Sequence, residues 1–278
     1  MQAPPKFIKY GNFEAERGLA RVRLAKSDSR TVLSHLQTKA PLLVQRALYL
    51  DPYFPGMAHV YLMSSAGGIL QGDRLDIDIY AGENTMSHFT TQAATKIYRM
   101  NKGFASQTIS ITTAPRSYIE FVPHELIPFR SSRYYQNVTM DVSPDSTVAY
   151  CETVCAGRTA SGESFDFDVC FLRMTARRPG GSAIFSDVCN IEPNGKRFKV
   201  LFGDKTIWST IYVVTPSNHE CIDREISLAL HDRGILAGCS TLPRDSGLFV
   251  RILDDSIDNV TDLTNAIVEI ARKHAARE

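Results

Sequence analysis

The fold of this chain depends on one stretch, Ser65-Ala66-Gly67-Gly68-Ile69-Leu70-Gln71-Gly72-Asp73-Arg74-Leu75. An apolar, β-prone run at residues 57–63 precedes it, and after it Leu75, Ile77 and Ile79 alternate with polar residues. Alternation with a period of two is typical of a strand with one buried face. Three glycines between two strands predict a tight turn, because glycine allows backbone angles and close approaches that a Cβ forbids.

The glycines do not match the known nucleotide-binding loops. A P-loop needs Gly-Lys-Ser/Thr after its second glycine, and a dinucleotide-binding loop needs G-x-G-x-x-G at the start of a helix. Here Asp73 follows Gly72, and the next residues have a strand pattern. The stretch therefore favours a structural turn in which Asp73 hydrogen-bonds its own backbone. The turn pattern alone gives the Asp73 carboxylate no role beyond this hydrogen bond.

Composition sets the broad class. The 278 residues are 44% hydrophobic, enough to bury a full core in one large domain or two small ones. The formal net charge is +1, so no global field indicates binding to nucleic acid or an anionic membrane.

No window approaches the roughly 18 uncharged apolar residues of a membrane span, and the N-terminal residues lack a long apolar segment, which predicts a cytoplasmic protein. The six cysteines form no C-x-x-C pair and fit neither a zinc ribbon nor a disulfide scaffold.

Short β-prone runs separated by turn residues indicate a mainly β protein. Their spacing of about ten residues favours a sandwich, a barrel or a β-solenoid over βαβ units. No fixed sequence repeat is visible, which weakens the solenoid interpretation. The predicted strands are 19–25, 42–50, 57–63, 74–80, 85–91, 106–113, 117–122, 134–142, 147–155, 165–174, 182–190, 197–202, 207–215, 235–240 and 247–253.

Two helices are predicted late in the chain. Ser217-Asn218-His219-Glu220 has the spacing of a capping box, an apolar face follows it, and Gly234 ends the helix. The second helix covers about 257–274, with acidic residues at its positive N-terminal end. We predict one domain, 1–278, with a β-rich part at 19–215 and a helix-containing part at 216–278.

Three polar runs need an explanation. Residues 90–99 are rich in threonine and include two cations. This pattern is typical of an exposed edge strand, but it also fits the wall of a polar cavity or a docking site for an acidic partner. His124-Glu125 lies at a corner between two prolines, where adjacent strand residues face opposite ways and joint metal ligation is not favoured. Arg158 and Glu163 flank a glycine-bounded turn, which predicts a structural ion pair.

Tests for known catalytic motifs fail. The chain has no G-x-S-x-G elbow, no H-E-x-x-H, and no histidine pair at ligand spacing. A set of carboxylates from separate strands, Asp73, Glu152 and Asp187, remains an alternative that spacing cannot test. The prediction is a non-enzyme.

Several runs, in order, resemble the urease accessory proteins of the UreD family, called UreH in some organisms. Ser64-Ser65-Ala66 replaces the prolines common in the family, and Phe121 and His124 replace its usual tryptophan and glutamine. The matching runs are 58–62 leading to 67–73, 90–99, 119–125, 157–165, 234–240 and 247–253.

The resemblance implies a β-rich, roughly helical-solenoid fold with a helical part and a non-catalytic role. Such proteins stand between apo-urease and a complex of a UreF-type protein with the nickel-carrying GTPase UreG, often in two-fold assemblies. The family is thought to pass transient nickel(II) through an internal polar tunnel, with no permanently bound cofactor. Its tunnel positions fall on Asp73, Thr95, Glu152 and Asp187.

Nickel chemistry suits transit along such a wall. Imidazole and thiolate hold Ni(II) firmly, whereas carboxylates, hydroxyls and water bind it weakly and let it exchange. Carboxylates also lower the cost of carrying a cation through the protein interior. The alternatives are a carboxylate-based metal-dependent hydrolase and a plain protein-interaction domain with no ion path.

Overall fold

The computed structural model describes residues 7, 9–11, 15–193, 202–216, 219–231 and 235–276. Most of these residues form strands, and two helices lie near the C-terminal end. The elements are β1 (Arg17–Ser27), β2 (Arg30–Lys39), β3 (Leu42–Val44), β4 (Ala58–Ser64), β5 (Arg74–Ala81), β6 (Met86–Thr91), β7 (Thr95–Ile97), β8 (Ala105–Thr113), β9 (Tyr118–Phe121), β10 (Leu126–Pro128), β11 (Arg133–Asp141), β12 (Thr147–Cys155), β13 (Val169–Arg177), β14 (Ala183–Ile191), β15 (Ile207–Val214), α1 (His219–His231), β16 (Leu236–Thr241), β17 (Gly247–Asp254) and α2 (Ile257–Ala275).

The strands form a β-solenoid of about four turns. Sheet A has the strand order β14-β13-β11-β8-β5-β1-β2, and sheet B has the order β16-β17-β15-β12-β9-β6-β4-β3. Each turn gives one strand to each sheet, so β5, β8, β11 and β13 run parallel in sheet A, as do β4, β6, β9 and β12 in sheet B. The sheet-B strands begin at residues 58, 86, 118 and 147. A turn therefore takes roughly thirty residues, a usual solenoid length, but the turns are unequal, which explains why no fixed repeat is visible.

Antiparallel strands close both ends of the solenoid. At the first end β2 pairs with β1, and β3 pairs with β4. At the other end β14 pairs with β13, while β15, β17 and β16 extend sheet B from β12. The parallel stack is thus bounded by strands of opposite direction on both sheets.

The core lies between the two inner sheet faces. Successive turns place apolar residues in register, as in the row Ile77, Ile109, Val138 and Met174 on sheet A. On sheet B, Phe121 stacks on Tyr150 of the next turn, with ring centroids 5.3 Å apart. Burial of such rows favours the two-layer arrangement through the hydrophobic effect.

Both helices pack on the outer face of sheet B. Ile222 and Ile226 of α1, and Val260, Leu263 and Ile267 of α2, are buried there against β15 and β17. The Ser256 side chain accepts a hydrogen bond from the Asn259 backbone N–H and so caps α2. No helix in the described part of the chain is both long enough and apolar enough to cross a membrane.

The glycine-rich stretch, residues 65–75, joins β4 to β5 and forms backbone hydrogen bonds with the segment at β7. The Ile69 backbone N–H donates to the Lys96 carbonyl at 2.8 Å, and the Tyr98 N–H donates to the Ile69 carbonyl at 2.9 Å. A Cβ on Gly68 would lie 2.5 Å from the Lys96 carbonyl oxygen, and Gly72 has φ +83°. The close approach and the left-handed backbone both require glycine.

The predicted mainly β, solenoid-like fold with two C-terminal helices is confirmed. Two strands were not predicted, namely β2 and β7, whereas β10 lies where the strand at 118–129 was expected to restart before Pro128. The predicted strand 165–174 begins only at Val169, because Phe165 has φ +56° and lies in a turn. The predicted strand 42–50 ends at Val44. Parts of three predictions lie outside the described residues: the strand segment 197–201, the cap residues Ser217 and Asn218, and the stop at Gly234. The division of the chain at residue 216 stays a prediction.

Candidate functional site

A line of polar side chains crosses the apolar interior between the sheets. Gln107 and Gln136 lie in register on β8 and β11. The Tyr134 hydroxyl lies 2.5 Å from Gln107 Oε1 and 3.0 Å from Gln136 Oε1. Gln136 Nε2 donates to the Tyr150 hydroxyl at 3.2 Å and to Glu152 Oε2 at 2.5 Å. Amides and hydroxyls therefore connect sheet A to a carboxylate on β12 of sheet B.

Glu152 is the least compensated charge on this line. Among the described residues, no cation lies within ion-pair distance of it, and the Gln136 amide is its hydrogen-bond donor. Burial, and then the negative charge of Asp187, raise the pKa of Glu152 to about 8. An ionised carboxylate in a low-dielectric interior is costly unless it is paired. This position therefore favours a bound proton or a cation.

The line continues to Asp187 on β14, where the solenoid ends. Tyr212 Oη donates to Asp187 Oδ2 at 2.7 Å, Arg251 Nη2 donates to the same oxygen at 2.5 Å, and the Val188 N–H donates to Oδ1 at 2.8 Å. Burial would raise the pKa of Asp187, but Tyr212 and Arg251 hold it below its ordinary value. Asp187 is thus an ionised carboxylate paired with a guanidinium. We call Asp187, Tyr212 and Arg251 the mouth.

Two neighbouring cavities share part of their walls, and Glu152 borders the inner one. The inner one has a volume of about 30 Å³, and its wall includes Thr95, Gln107 and Glu152. The outer one, of about 250 Å³, is bounded by Gly67, Gly68 and residues 91–96, and shares Thr95 and Gln107 with the first. The threonine-rich run thus lines a polar cavity, one of the roles predicted for it, and the glycine stretch borders the outer cavity.

Asp73 lies apart from this line. Its side chain is 3% exposed, and its carboxylate accepts a hydrogen bond from the Leu70 backbone N–H at 2.8 Å. Within the described part of the chain, the walls of the two cavities do not include it. Burial raises the pKa of Asp73 above its ordinary value. This is the geometry of the predicted structural turn, and a role of Asp73 in ion passage stays a prediction.

The structure thus brings together three of the four predicted site residues. Thr95 and Glu152 face one cavity, and Asp187 is close enough to Glu152 to shift its pKa. Sequence reasoning missed the neutral and cationic partners. Arg251 carried a usable signal, since it interrupts an apolar strand at a position that alternates with buried residues. The missed residues are Gln107, Tyr134, Gln136, Tyr150, Tyr212 and Arg251.

A second charged cluster lies on the outer face of sheet B. Glu120 of β9 is fully buried, and His88 Nδ1 lies 2.7 Å from its Oε2. Arg272 of α2 contacts Glu120 and also donates to Asp51 Oδ2 at 2.6 Å. Burial alone would raise the pKa of Glu120, but His88 and Arg272 lower it. This cluster fastens α2 to the sheet.

The other predicted polar groups have structural settings. Arg158 Nε donates to Glu163 Oε2 at 3.0 Å, which confirms the predicted ion pair. His124 and Glu125 both border a cavity of about 140 Å³ beneath α2, and His124 also borders the inner cavity beside Glu152. No group of three or more histidine, cysteine, aspartate or glutamate side chains within the described residues is arranged to hold a metal ion.

Comparison with known proteins assigns the family. A family model described as UreD urease accessory protein matches residues 16–278. The chain belongs to the UreD family. Urease accessory protein UreD 2 of Streptomyces griseus is 36% identical to it over 267 residues, 93% of this chain and 90% of that protein.

Two further UreD relatives show the same extent of similarity. Urease accessory protein UreD of Cenarchaeum symbiosum is 35% identical over 255 residues, covering 90% of each chain. Urease accessory protein UreD 2 of Brucella canis is 35% identical over 282 residues, 98% of this chain and 92% of that protein. These relatives are named as accessory proteins and not as enzymes. Membership of the UreD family associates the chain with urease maturation.

Proposed function

We propose that this UreD-family chain is a cytoplasmic scaffold in urease maturation that carries nickel(II) through its solenoid. In this role it stands between apo-urease and a UreF-type protein that binds the GTPase UreG, in a two-fold assembly built through these partners. Nickel is cargo and is bound only transiently. The observation that carries the proposal is the Glu152 carboxylate, which lies inside the solenoid, has no ion-pair partner among the described residues and faces a cavity that shares Thr95 and Gln107 with the outer cavity.

The path runs from the outer cavity at Gly67 and Gly68, past Thr95 and Gln107, to Glu152. From there Asp187 offers the next carboxylate at the mouth. Each step moves the ion from one oxygen-bearing side chain to another across an otherwise apolar core. A divalent ion at Glu152 would replace the proton that burial favours there and supply the missing positive charge.

The size of the inner cavity sets how the ion travels. The space beside Glu152 is small, about 30 Å³, and large enough to hold water. We expect an ion that enters it to exchange part of its water shell for polar groups of the wall. Carboxylate, amide and hydroxyl oxygens bind Ni(II) less firmly than imidazole or thiolate. Most polar side chains of this wall are of the weaker kind, which favours passage, and His124 is the imidazole that borders the same cavity.

The test is urease activation in a purified mixture of apo-urease, the accessory partners, nickel, bicarbonate and GTP. We expect Glu152→Gln to lower the activated fraction severalfold, because the amide keeps the side-chain shape but removes the charge. Glu83→Gln is the matched control, since Glu83 pairs with Arg116 at an exposed turn. Both variants must still form the complex with the partners on a sizing column.

Other results would select the alternatives. Hydrolysis of a small ester or phosphate by the chain alone, lost in Glu152→Gln, would indicate a carboxylate-based hydrolase. Full activation by an Asp73→Ala and Glu152→Ala double variant that assembles normally would indicate a protein-interaction domain without an ion path.

A further inference from the structure

Arg251 occupies an unusual position for a cation on a cation path. It lies in the same cross-strand row of sheet B as Glu152, with Thr210 between them. Two strand spacings separate Arg251 from Glu152, roughly 10 Å along the sheet. A nickel ion that leaves Glu152 towards the mouth meets this fixed positive charge. The sequence analysis gave Arg251 no role.

The two partners of the Asp187–Arg251 ion pair are held unequally, because the guanidinium has only the Phe249 ring, 5.9 Å from its Cζ, as a further contact among the described residues. Asp187 keeps hydrogen bonds from Tyr212 and from the Val188 backbone, so its carboxylate stays in place if the guanidinium leaves. The Arg251 side chain is 54% exposed and the Asp187 side chain 30%. A guanidinium that swings out can therefore be hydrated at once, which keeps the cost of breaking the pair small.

Arg251 and a passing cation would use the same group at the mouth. The guanidinium Nη2 donates to Asp187 Oδ2 at 2.5 Å, and this carboxylate oxygen is also the one that a metal ion would bind. Arg251 and the cation therefore compete for the oxygens of Asp187.

We propose that Arg251 is a tethered counter-cation that closes the mouth by occupying Asp187, and that a divalent metal ion opens it by displacing the guanidinium. The inference rests on the proposed nickel passage and explains how the mouth would select divalent over univalent ions. A divalent ion interacts with a carboxylate about twice as strongly as a univalent charge at the same distance. Sodium and potassium have no such advantage over the guanidinium, so Arg251 makes the mouth selective for divalent ions.

The test is equilibrium dialysis of the full chain against nickel chloride at constant ionic strength. We expect Arg251→Gln to bind nickel about fivefold more tightly than the wild type, since removing an exposed ion pair frees Asp187. Arg251→Lys, which keeps the charge, should stay near the wild type. The gain should vanish in an Asp187→Asn and Arg251→Gln double variant. Circular dichroism and thermal melting confirm folding, and Arg251→Met replaces Arg251→Gln if the latter does not fold.

The outcomes test two claims separately: the closing of the mouth by Arg251, called the gate here, and the passage of nickel past Glu152. Unchanged nickel affinity after removal of the Arg251 charge would overturn the gate, as would a gain that survives Asp187→Asn, because the metal is then held elsewhere. The passage itself is judged by activation with Glu152→Gln. Impaired activation in that variant together with unchanged nickel affinity in Arg251→Gln would retain the passage and remove the gate.

Discussion

Arg272 on α2 contacts both carboxylate oxygens of Glu120 on β9, with Nε 2.6 Å from Oε1 and Nη2 2.9 Å from Oε2. Glu120 is fully buried and Arg272 nearly so, with 16% of its side chain exposed. A buried bidentate pair of this kind positions a helix with little freedom.

Removal of Arg272 should destabilise the chain strongly. Arg272→Met leaves the buried Glu120 carboxylate without its guanidinium, and breaking such a pair costs about 3–5 kcal/mol. Urea denaturation followed by circular dichroism measures the change. Lys273→Met is the control, because Lys273 forms an exposed pair with Glu269 and should change stability by less than about 1 kcal/mol. Equal losses in the two variants would contradict the role given to Glu120.

Glu152 should make the stability of the metal-free chain fall as the pH rises. Its pKa is about 8 in the folded chain against an ordinary 4.5, so between these values the folded state holds a proton that the unfolded state has released. The free energy of unfolding then decreases by at most about 1.4 kcal/mol per pH unit in this window. Glu152→Gln removes the titration, and its stability relative to the wild type should increase from pH 5 to pH 8.

Denaturation curves at pH 5, 6.5 and 8 in nickel-free buffer test this dependence. Glu83→Gln should follow the wild type at every pH, since Glu83 is exposed. A stability difference between Glu152→Gln and the wild type that stays constant over the whole range would show that Glu152 ionises normally.

The role of Asp73, in the turn or on the ion path, can be determined by comparing two substitutions. Asp73→Asn retains an oxygen that can accept from the Leu70 N–H, and we expect it to keep stability within about 0.5 kcal/mol, whereas Asp73→Ala should lose about 1–2 kcal/mol. Thermal melting gives both values. The urease activation assay then decides the role: loss with alanine alone indicates the turn, and equal loss with both indicates a charge on the ion path.

Gly68→Ala should destabilise the turn at the outer cavity. Its Cβ would lie 2.5 Å from the Lys96 carbonyl oxygen and 2.7 Å from the Tyr98 ring, and overpacking of this kind costs about 1–3 kcal/mol. Gly238→Ala is a matched control, because that Cβ would meet no atom within 4 Å. If both alanine variants melt at the wild-type temperature, the strands at Gly68 are not held as close as described.

The sequence predicted the half-buried strand β5 and missed the exposed strand β2. In β5 every second residue is buried, so its alternation is visible in the sequence, whereas most of β2 is exposed and carries no such pattern. The polar line was invisible for another reason. Gln136 meets Glu152 only because successive solenoid turns bring β11 and β12 face to face, and this register depends on turn lengths that vary along the chain.

The way α2 is fastened changes how this solenoid unfolds. In a simple repeat protein each turn contacts only its neighbours, so the end turns fray first. Here α2 packs across β17, β15, β12 and β9, and Arg272 then binds Asp51, 221 residues earlier in the sequence. Helix α2 thus contacts the segment just before β4, near the first end of the solenoid. We therefore expect the described turns to unfold together and not one by one from the ends.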